Sequence, residues 1–195
     1  MGLLSWLKRR TERRGQVDAR LLDWRNAWAR AAEGADAEAA AQLEQHLGAM
    51  GYSEDDIEIE REMLDGLREL LDLQRSVHAG GLPLVETGHR VIGADACHFS
   101  APVSIPDDGA QPSGRLLLTS TRAVFVGGAR TTSVPWHAIG QARHEQRDII
   151  LIRKNRENLY RFRCNSFADA LRGAFLSRQL AAIRQPAQTS WETGS

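Results

Sequence analysis

Two cysteines and two histidines are the residues whose chemistry could build a site in this sequence. Cys97 and His98 adjoin, and with His89 and Cys164 they would offer the sulfur and imidazole ligands that suit zinc. Adjacent residues of a strand point to opposite faces, so Cys97 and His98 are poorly placed to bind one ion together, and no CxxC pair supports them. We therefore expect structural or surface roles for these residues, and neither a metal nor another cofactor.

Patterns for covalent or nucleotide chemistry are also missing. Asp95 near His98, with several serines elsewhere, does not form a triad signature, because no G-x-S-x-G or comparable nucleophile motif accompanies them. No G-x-G-x-x-G or Walker run is present, so no phosphate-binding loop is indicated. The sequence predicts a chain that is not an enzyme.

Length and composition limit the classes of protein that fit this sequence. With 195 residues, 42% of them hydrophobic, the chain can bury the core of one ordinary domain plus an appendage, or of two small domains. Two cysteines without the density of a disulfide scaffold indicate a reducing cytoplasm. All basic residues except Lys8 and Lys154 are arginine, a usage typical of a GC-rich, bacterial genome.

Charge is zero overall but segregated along the chain. Residues 1–30 carry a net charge of +5, residues 31–75 carry −10, and residues 76–195 carry +5. A dedicated nucleic-acid binder would show a larger basic excess interleaved with aromatic residues, so we predict no nucleic-acid partner.

Helical periodicity dominates the N-terminal region. Apolar stripes formed by Leu21, Trp24 and Trp28, and by Leu64, Leu67 and Leu71, recur at spacings of three and four. The segments between these stripes contain residues that typically begin and end helices. Asp36 and Ser53 are candidate N-caps, and Gly51 is a candidate C-terminal stop. We predict three packing helices near residues 17–32, 36–50 and 53–77.

A glycine- and proline-containing break at residues 78–83 separates this region from a strand-rich one. The sequence predicts an N-terminal helical region over 1–77, a second domain over 85–184 and a disordered tail over 185–195. Short turns connect seven candidate strands in the second domain, as in antiparallel hairpins. These strands are Cys97–Ile105, Arg115–Ser120, Arg122–Val126, Thr131–Val134, Gln141–Glu145, Asp148–Arg153 and Leu159–Cys164.

The last strand shows the clearest alternation. Tyr160, Phe162 and Cys164 fall on one face, and Arg161 and Arg163 on the other. Ser166 then caps a final helix, whose apolar stripe includes Phe167, Ala170, Leu171, Ala174 and Phe175. The expected architecture is α+β: the N-terminal helices, followed by a closed seven-stranded antiparallel barrel capped by the C-terminal helix.

The run from Gly114 to Gly128, GRLLLTSTRAVFVGG, followed by TTSVPWHAI from Thr131, resembles bacterial pleckstrin-homology-like (PH-like) and GRAM-like domains. The upstream GADACHF, beginning at Gly93, resembles an entry strand of some of these, with Asp95 where glutamate is usual. The resemblance covers about residues 85–184 and implies binding of membranes, lipids or proteins. Members that bind inositol phosphates use a basic loop between the first two strands, whereas here that loop carries Asp107 and Asp108 and would repel phosphate.

The leading functional hypothesis is a protein-interaction module for recruitment or assembly, with an unidentified protein partner and an oligomeric state left open. The acidic helix 53–77 would act as a coupling element. Another hypothesis is a small-molecule carrier, which would need an open apolar cavity in the barrel. The bulky side chains of Phe125, Tyr160 and Phe162 are expected to fill that space instead. The predicted docking surface of the module consists of Arg153, Lys154, Arg156, Arg161 and Arg163.

The alternative is a cytoplasmic protein attached peripherally to the inner face of the membrane. Its N-terminal segment places apolar residues before a basic cluster, the reverse of a signal peptide. A short helix there would bury its apolar side in an anionic bilayer, or would instead pack Trp6 against its neighbours. The candidate membrane contacts are Leu3, Leu4, Trp6, Leu7, Lys8, Arg9, Arg10, Arg13 and Arg14.

Overall fold

The structure, a computed structural model, describes residues 19–128, 130–155 and 159–183. These residues form four helices and seven strands. The helices are α1 (Ala19–Gly34), α2 (Ala37–Ala49), α3 (Glu58–Gly80) and α4 (Phe167–Ile183). The strands are β1 (Cys97–Ser104), β2 (Ser113–Thr119), β3 (Arg122–Gly127), β4 (Thr131–Pro135), β5 (Ile139–Glu145), β6 (Asp148–Arg153) and β7 (Leu159–Cys164).

The chain divides into two compact units, with the division between Arg68 and Glu69 inside α3. The predicted domain limits at 77 and 85 and the predicted disordered tail stay predictions, and the tail lies outside the described residues.

Tryptophans form the core of the helical unit. Trp24 is fully buried and Trp28 nearly so, as the stripe in α1 predicts. Each indole also satisfies its polar atom: Trp24 Nε1 donates to the Leu43 carbonyl at 2.9 Å, and Trp28 Nε1 to the Met63 carbonyl at 2.7 Å. These bonds link α1 to α2 and to α3, because an indole buried without a hydrogen-bond acceptor would be costly.

The ends of α2 form as the sequence predicts. The Asp36 carboxylate accepts hydrogen bonds from the backbone N–H groups of Glu38 and Ala39, which satisfies two of the free donors at the helix start. Gly51, at φ +72°, follows the last turn in the left-handed conformation that favours glycine. Ser53 differs from expectation, because a short 3₁₀ turn (residues 54–56) separates it from α3, and its side chain makes no capping hydrogen bond.

All seven strands lie in one antiparallel sheet with the order β4-β3-β2-β1-β7-β6-β5. Together with the N-terminal helices and the C-terminal helix α4, this topology confirms the α+β class and matches the PH-like fold. The expectation of a closed barrel was wrong. Among the described residues no ladder joins the edge strands β4 and β5, and β1 pairs with β7 only at Val103 and Ser104. Full closure requires continuous pairing around the cylinder, which these edges do not supply.

Helix α4 covers the inner face of the sheet. Phe167, Leu171, Ala174 and Phe175 are buried, as their spacing predicts, and the backbone of α4 approaches β6 closely at Gly173. A side chain at that position would collide with Ile149. Phe125 and Phe162 stack across the interior with ring centroids 6.1 Å apart, so aromatic side chains fill the space between the two halves of the sheet.

The opposite face of β1–β3 is also covered. Ile92, from a short 3₁₀ turn at residues 90–92, packs in a cluster with Cys97, Leu117 and Val124. The segment between α3 and β1 is tied to the sheet by a hydrogen bond from the Val85 N–H to the Cys97 carbonyl at 2.8 Å. This cover explains why residues 116–119 of β2 are buried consecutively rather than alternately.

Candidate docking surface

The cysteines lie in the core of the sheet unit. The Cys97 thiol donates to the Phe99 carbonyl at 3.2 Å, and burial raises its pKa. Burial, with smaller contributions from Asp169 and Asp148, raises the pKa of Cys164 to about 12. The thiolate is the form of cysteine that binds metals and acts as a nucleophile. Because the raised pKa keeps both thiols protonated at neutral pH, these side chains are suited to packing in the core. Within the described residues, no three histidine, cysteine or acidic side chains are grouped as metal ligands.

Asp95 and His98 fasten the turn between β2 and β3. The Asp95 carboxylate accepts a hydrogen bond from Thr121 Oγ1 at 2.6 Å. The His98 ring, which is 8% exposed, lies 2.8 Å from the Pro83 carbonyl through Nδ1 and 3.0 Å from Ser120 Oγ through Nε2. The acid and imidazole that the sequence places near each other therefore hold β1 against this turn.

The interior leaves little room for a ligand. A cavity of about 100 Å³ lies at the end of the sheet where Thr132, Tyr160 and Phe162 meet the β1–β2 loop. Pockets that enclose drug-sized molecules measure roughly 300 Å³ or more. A wider depression of about 540 Å³ is lined by Glu86, Thr87 and Gly88 and is open to solvent. Neither space fits the carrier hypothesis.

The acidic residues of the β1–β2 loop are paired with arginines from the neighbouring strands. Asp108 forms an ion pair with Arg130 at 3.4 Å, and Asp107 lies 3.5 Å from Arg161 Nε. Carboxylates thus occupy the positions beside the cations where a phosphate would otherwise be attracted.

Arg161 and Arg163 form ion pairs with a buried carboxylate. Asp148, which is 3% exposed, accepts hydrogen bonds from Arg163 Nε at 2.8 Å and Nη2 at 3.1 Å, and from Arg161 Nη1 at 3.1 Å. Arg161 also contacts Glu145 at 3.3 Å. Burial by itself would raise the pKa of Asp148, but the hydrogen bonds and charges of Arg163 and Arg161 outweigh it, so the pKa lies below its usual value.

The remaining predicted docking residues are placed differently. Arg153 is half-buried at the end of β6, and Lys154 is exposed beside Gly140. Arg156 lies outside the described residues. The structure therefore groups Arg161 with Arg163, and leaves Lys154 exposed at the other end of the β6–β7 ladder.

Sequence reasoning missed an apolar pair on the same outer face. Ile152 of β6 pairs in register with Leu159 of β7 and with Gln141 of β5. Leu159 is 53% exposed and Ile152 is half-buried. The alternation of Arg161 and Arg163 with core residues already placed Leu159 on the outer face, since strand residues two apart share a face.

The predicted membrane contacts, residues 3–14, lie outside the described residues, so the membrane hypothesis stays a prediction. None of the described helices combines the length and the apolar character needed to cross a bilayer.

No protein-family model matches the chain, and no curated protein matches it. Solved structures with partial similarity include the C-terminal domain of an unknown protein from Leishmania infantum (13% identity, TM-score 0.40, covering 46% of this chain and 88% of that one). The linker-DH/PH domains of p115-RhoGEF give 10% identity and a TM-score of 0.42, covering 76% of this chain and 47% of that one. The N-terminal PH domain of human ARAP2 gives 10% identity and a TM-score of 0.35, covering 50% of this chain and 92% of that one. This chain spans about half the length of the p115-RhoGEF fragment. Similarity at this level carries no information about what the chain binds.

Proposed function

We propose that this chain is a non-catalytic interaction module that recruits or assembles protein partners through the outside of its PH-like unit. The observation that carries the proposal is the filled interior. Phe125 and Phe162 stack across it, the backbone of α4 closely approaches Ile149, and the cavity at the end of the sheet measures only about 100 Å³. Recognition of a macromolecule by an exposed face fits this interior better than enclosure of a small ligand.

Charge supports a protein partner over a phosphorylated lipid headgroup. The loop that carries cations in phosphoinositide-binding PH domains here carries Asp107 and Asp108, both beside arginines. Localisation in a bacterial cytoplasm is part of the same proposal and rests on cysteine and arginine usage alone.

The test is capture of partners by the full-length chain from its native host, followed by reconstitution of the complex from purified components. We expect a complex of defined stoichiometry in sedimentation velocity. Failure of every captured protein to form such a complex would overturn the proposal.

Co-sedimentation with anionic vesicles, with and without residues 2–14, examines the membrane alternative. Salt-sensitive vesicle binding that disappears on truncation would support attachment through the N-terminus and would overturn protein recruitment as the primary role. Absence of vesicle binding would remove the membrane alternative.

A further inference from the structure

We propose that the outer face of β5–β7 binds an acidic protein segment that carries one apolar anchor residue. The contact surface, here called the β6–β7 patch, consists of Ile152, Leu159, Arg143 and Lys154. This inference rests on the proposed interaction function and specifies its surface and the chemistry of its partner.

An apolar centre defines the patch. Ile152 and Leu159 are direct cross-strand neighbours, and their side chains lie on the face opposite α4, because Ile149 and Phe162 in the same ladder contribute to the core. Ile150, the next outward residue of β6, is only 1% exposed, whereas Leu159 is 53% exposed. The apolar surface therefore opens to solvent at one end of the ladder.

Two exposed cations flank this centre, and the carboxylate nearest to Arg143 along β5, Glu145, is paired with Arg161. Arg143 of β5 pairs in register with Ile150 and lies diagonally from Ile152, and Lys154 follows Ile152 by two residues. Both side chains are exposed, and within the part of the chain that the structure describes neither forms an ion pair. Arg161 and Arg163, in contrast, are neutralised by Asp148 and Glu145.

These two properties select the partner chemistry. An apolar centre with a polar rim is the anatomy of a protein interface, and the unneutralised rim is positive, so carboxylates on the partner would complement it. A carboxylate can also bind the planar guanidinium of Arg143 through two parallel hydrogen bonds.

A membrane surface fits the patch less well. Electrostatic attachment to an anionic bilayer typically uses clusters of about four or more basic residues, and the patch offers two.

The test uses two labelled peptides of equal length, one with leucine flanked by glutamates and one with the same leucine flanked by lysines. Binding to the full chain is measured by fluorescence anisotropy, and the site by methyl NMR of Ile152 and Leu159. We expect the acidic peptide alone to bind, with an affinity that falls as salt rises, and to shift both methyl signals.

Variants locate the binding. Leu159→Asp should remove detectable binding, and Arg143→Glu or Lys154→Glu should each raise Kd about tenfold or more, because each reverses a rim charge. Matched controls are Leu84→Asp, at an apolar side chain that is 76% exposed elsewhere, and Arg90→Glu at another exposed arginine. Both controls should bind like the unmodified chain, and amide spectra verify that every variant is folded.

Several results would overturn the proposal: no binding of the acidic peptide, equal binding of the basic one, or equal losses in the controls. Leu159-dependent binding to anionic vesicles, or Leu159-dependent dimerisation, would assign the patch to a lipid surface or to a second copy instead. If a reconstituted partner complex is insensitive to Leu159→Asp, the patch is refuted while the interaction function stands. If no partner complex forms at all, the interaction function itself fails.

Discussion

Replacing Asp148 with asparagine should destabilise the sheet unit at neutral pH. The variant keeps the shape of the side chain but removes the charge that accepts three hydrogen bonds from Arg161 and Arg163. Breaking a buried ion pair typically costs about 3–5 kcal/mol. Here the guanidinium groups are 28% and 56% exposed and can be rehydrated, so we expect a smaller loss. The estimate is about 2–3 kcal/mol, equivalent to a fall in Tm of about 5–10 °C for a chain of this size.

The loss should depend on pH in a defined direction. Because the folded-state pKa of Asp148 is lowered, its contribution to the free energy of unfolding is fully present above the ordinary aspartate value of about 3.9. The contribution is lost as pH falls through the lowered pKa, since protonation then removes the charge in the unmodified chain as well. The difference between the unmodified chain and Asp148→Asn should therefore shrink in acid.

Urea unfolding followed by circular dichroism, at neutral pH and at a pH below the usual aspartate range, measures both effects. The matched control is Asp107→Asn, because Asp107 is 61% exposed and lies 3.5 Å from the same Arg161. An exposed pair of this kind contributes less than about 1 kcal/mol. Equal losses in the two variants, or a loss at Asp148 that persists unchanged in acid, would refute the argument that burial makes this carboxylate important.

Three further outcomes are expected. Gly173→Ala should lower the free energy of unfolding by about 1–3 kcal/mol despite the better helix propensity of alanine, because the new methyl group collides with Ile149. Adding Ile149→Val to this variant should restore part of the lost stability, and a Gly173→Ala variant more stable than the unmodified chain would contradict this packing. Cys164 should react with a thiol reagent much more slowly in the folded chain than in urea at the same pH, since burial raises its pKa to about 12; equal rates would show that the thiol is accessible. Trp136→Phe should cost about 1–3 kcal/mol in chemical denaturation, because it leaves the buried Thr119 carbonyl without the indole N–H that donates to it at 2.7 Å; a neutral effect would mean that another donor replaces the indole.

Local patterns predicted the elements of this fold well. The spacing of Trp24 and Trp28 identified a buried helix face, Asp36 and Ser166 marked helix starts, and alternation around Phe162 identified the inner face of β7. Each of these signals depends on residues within a few positions of one another, where helix and strand periods relate sequence directly to side-chain direction.

The ion pairs of the predicted docking residues could not be predicted from the sequence, because the partners of a charged side chain are set by strand pairing. Alternation placed Arg161 and Arg163 on the outer face, but only the register of β6 with β7 brings Asp148 beside them. The same register places Leu159 next to Ile152, which lies seven positions earlier in the chain on the other strand of the hairpin. The predicted basic docking surface thus includes two arginines whose charges are already neutralised.

The order of amino acids alone determined where helices, strands and turns form, since backbone preferences, caps and apolar periods act over a few residues. Tertiary structure alone decided that the sheet stays open between β4 and β5, that the segment around Ile92 covers the back of β1–β3, and that Asp95 and His98 secure a turn. These features depend on contacts between residues distant in sequence, whose geometry is fixed only when the packed elements exclude water from the inner face of the sheet and from the back of β1–β3.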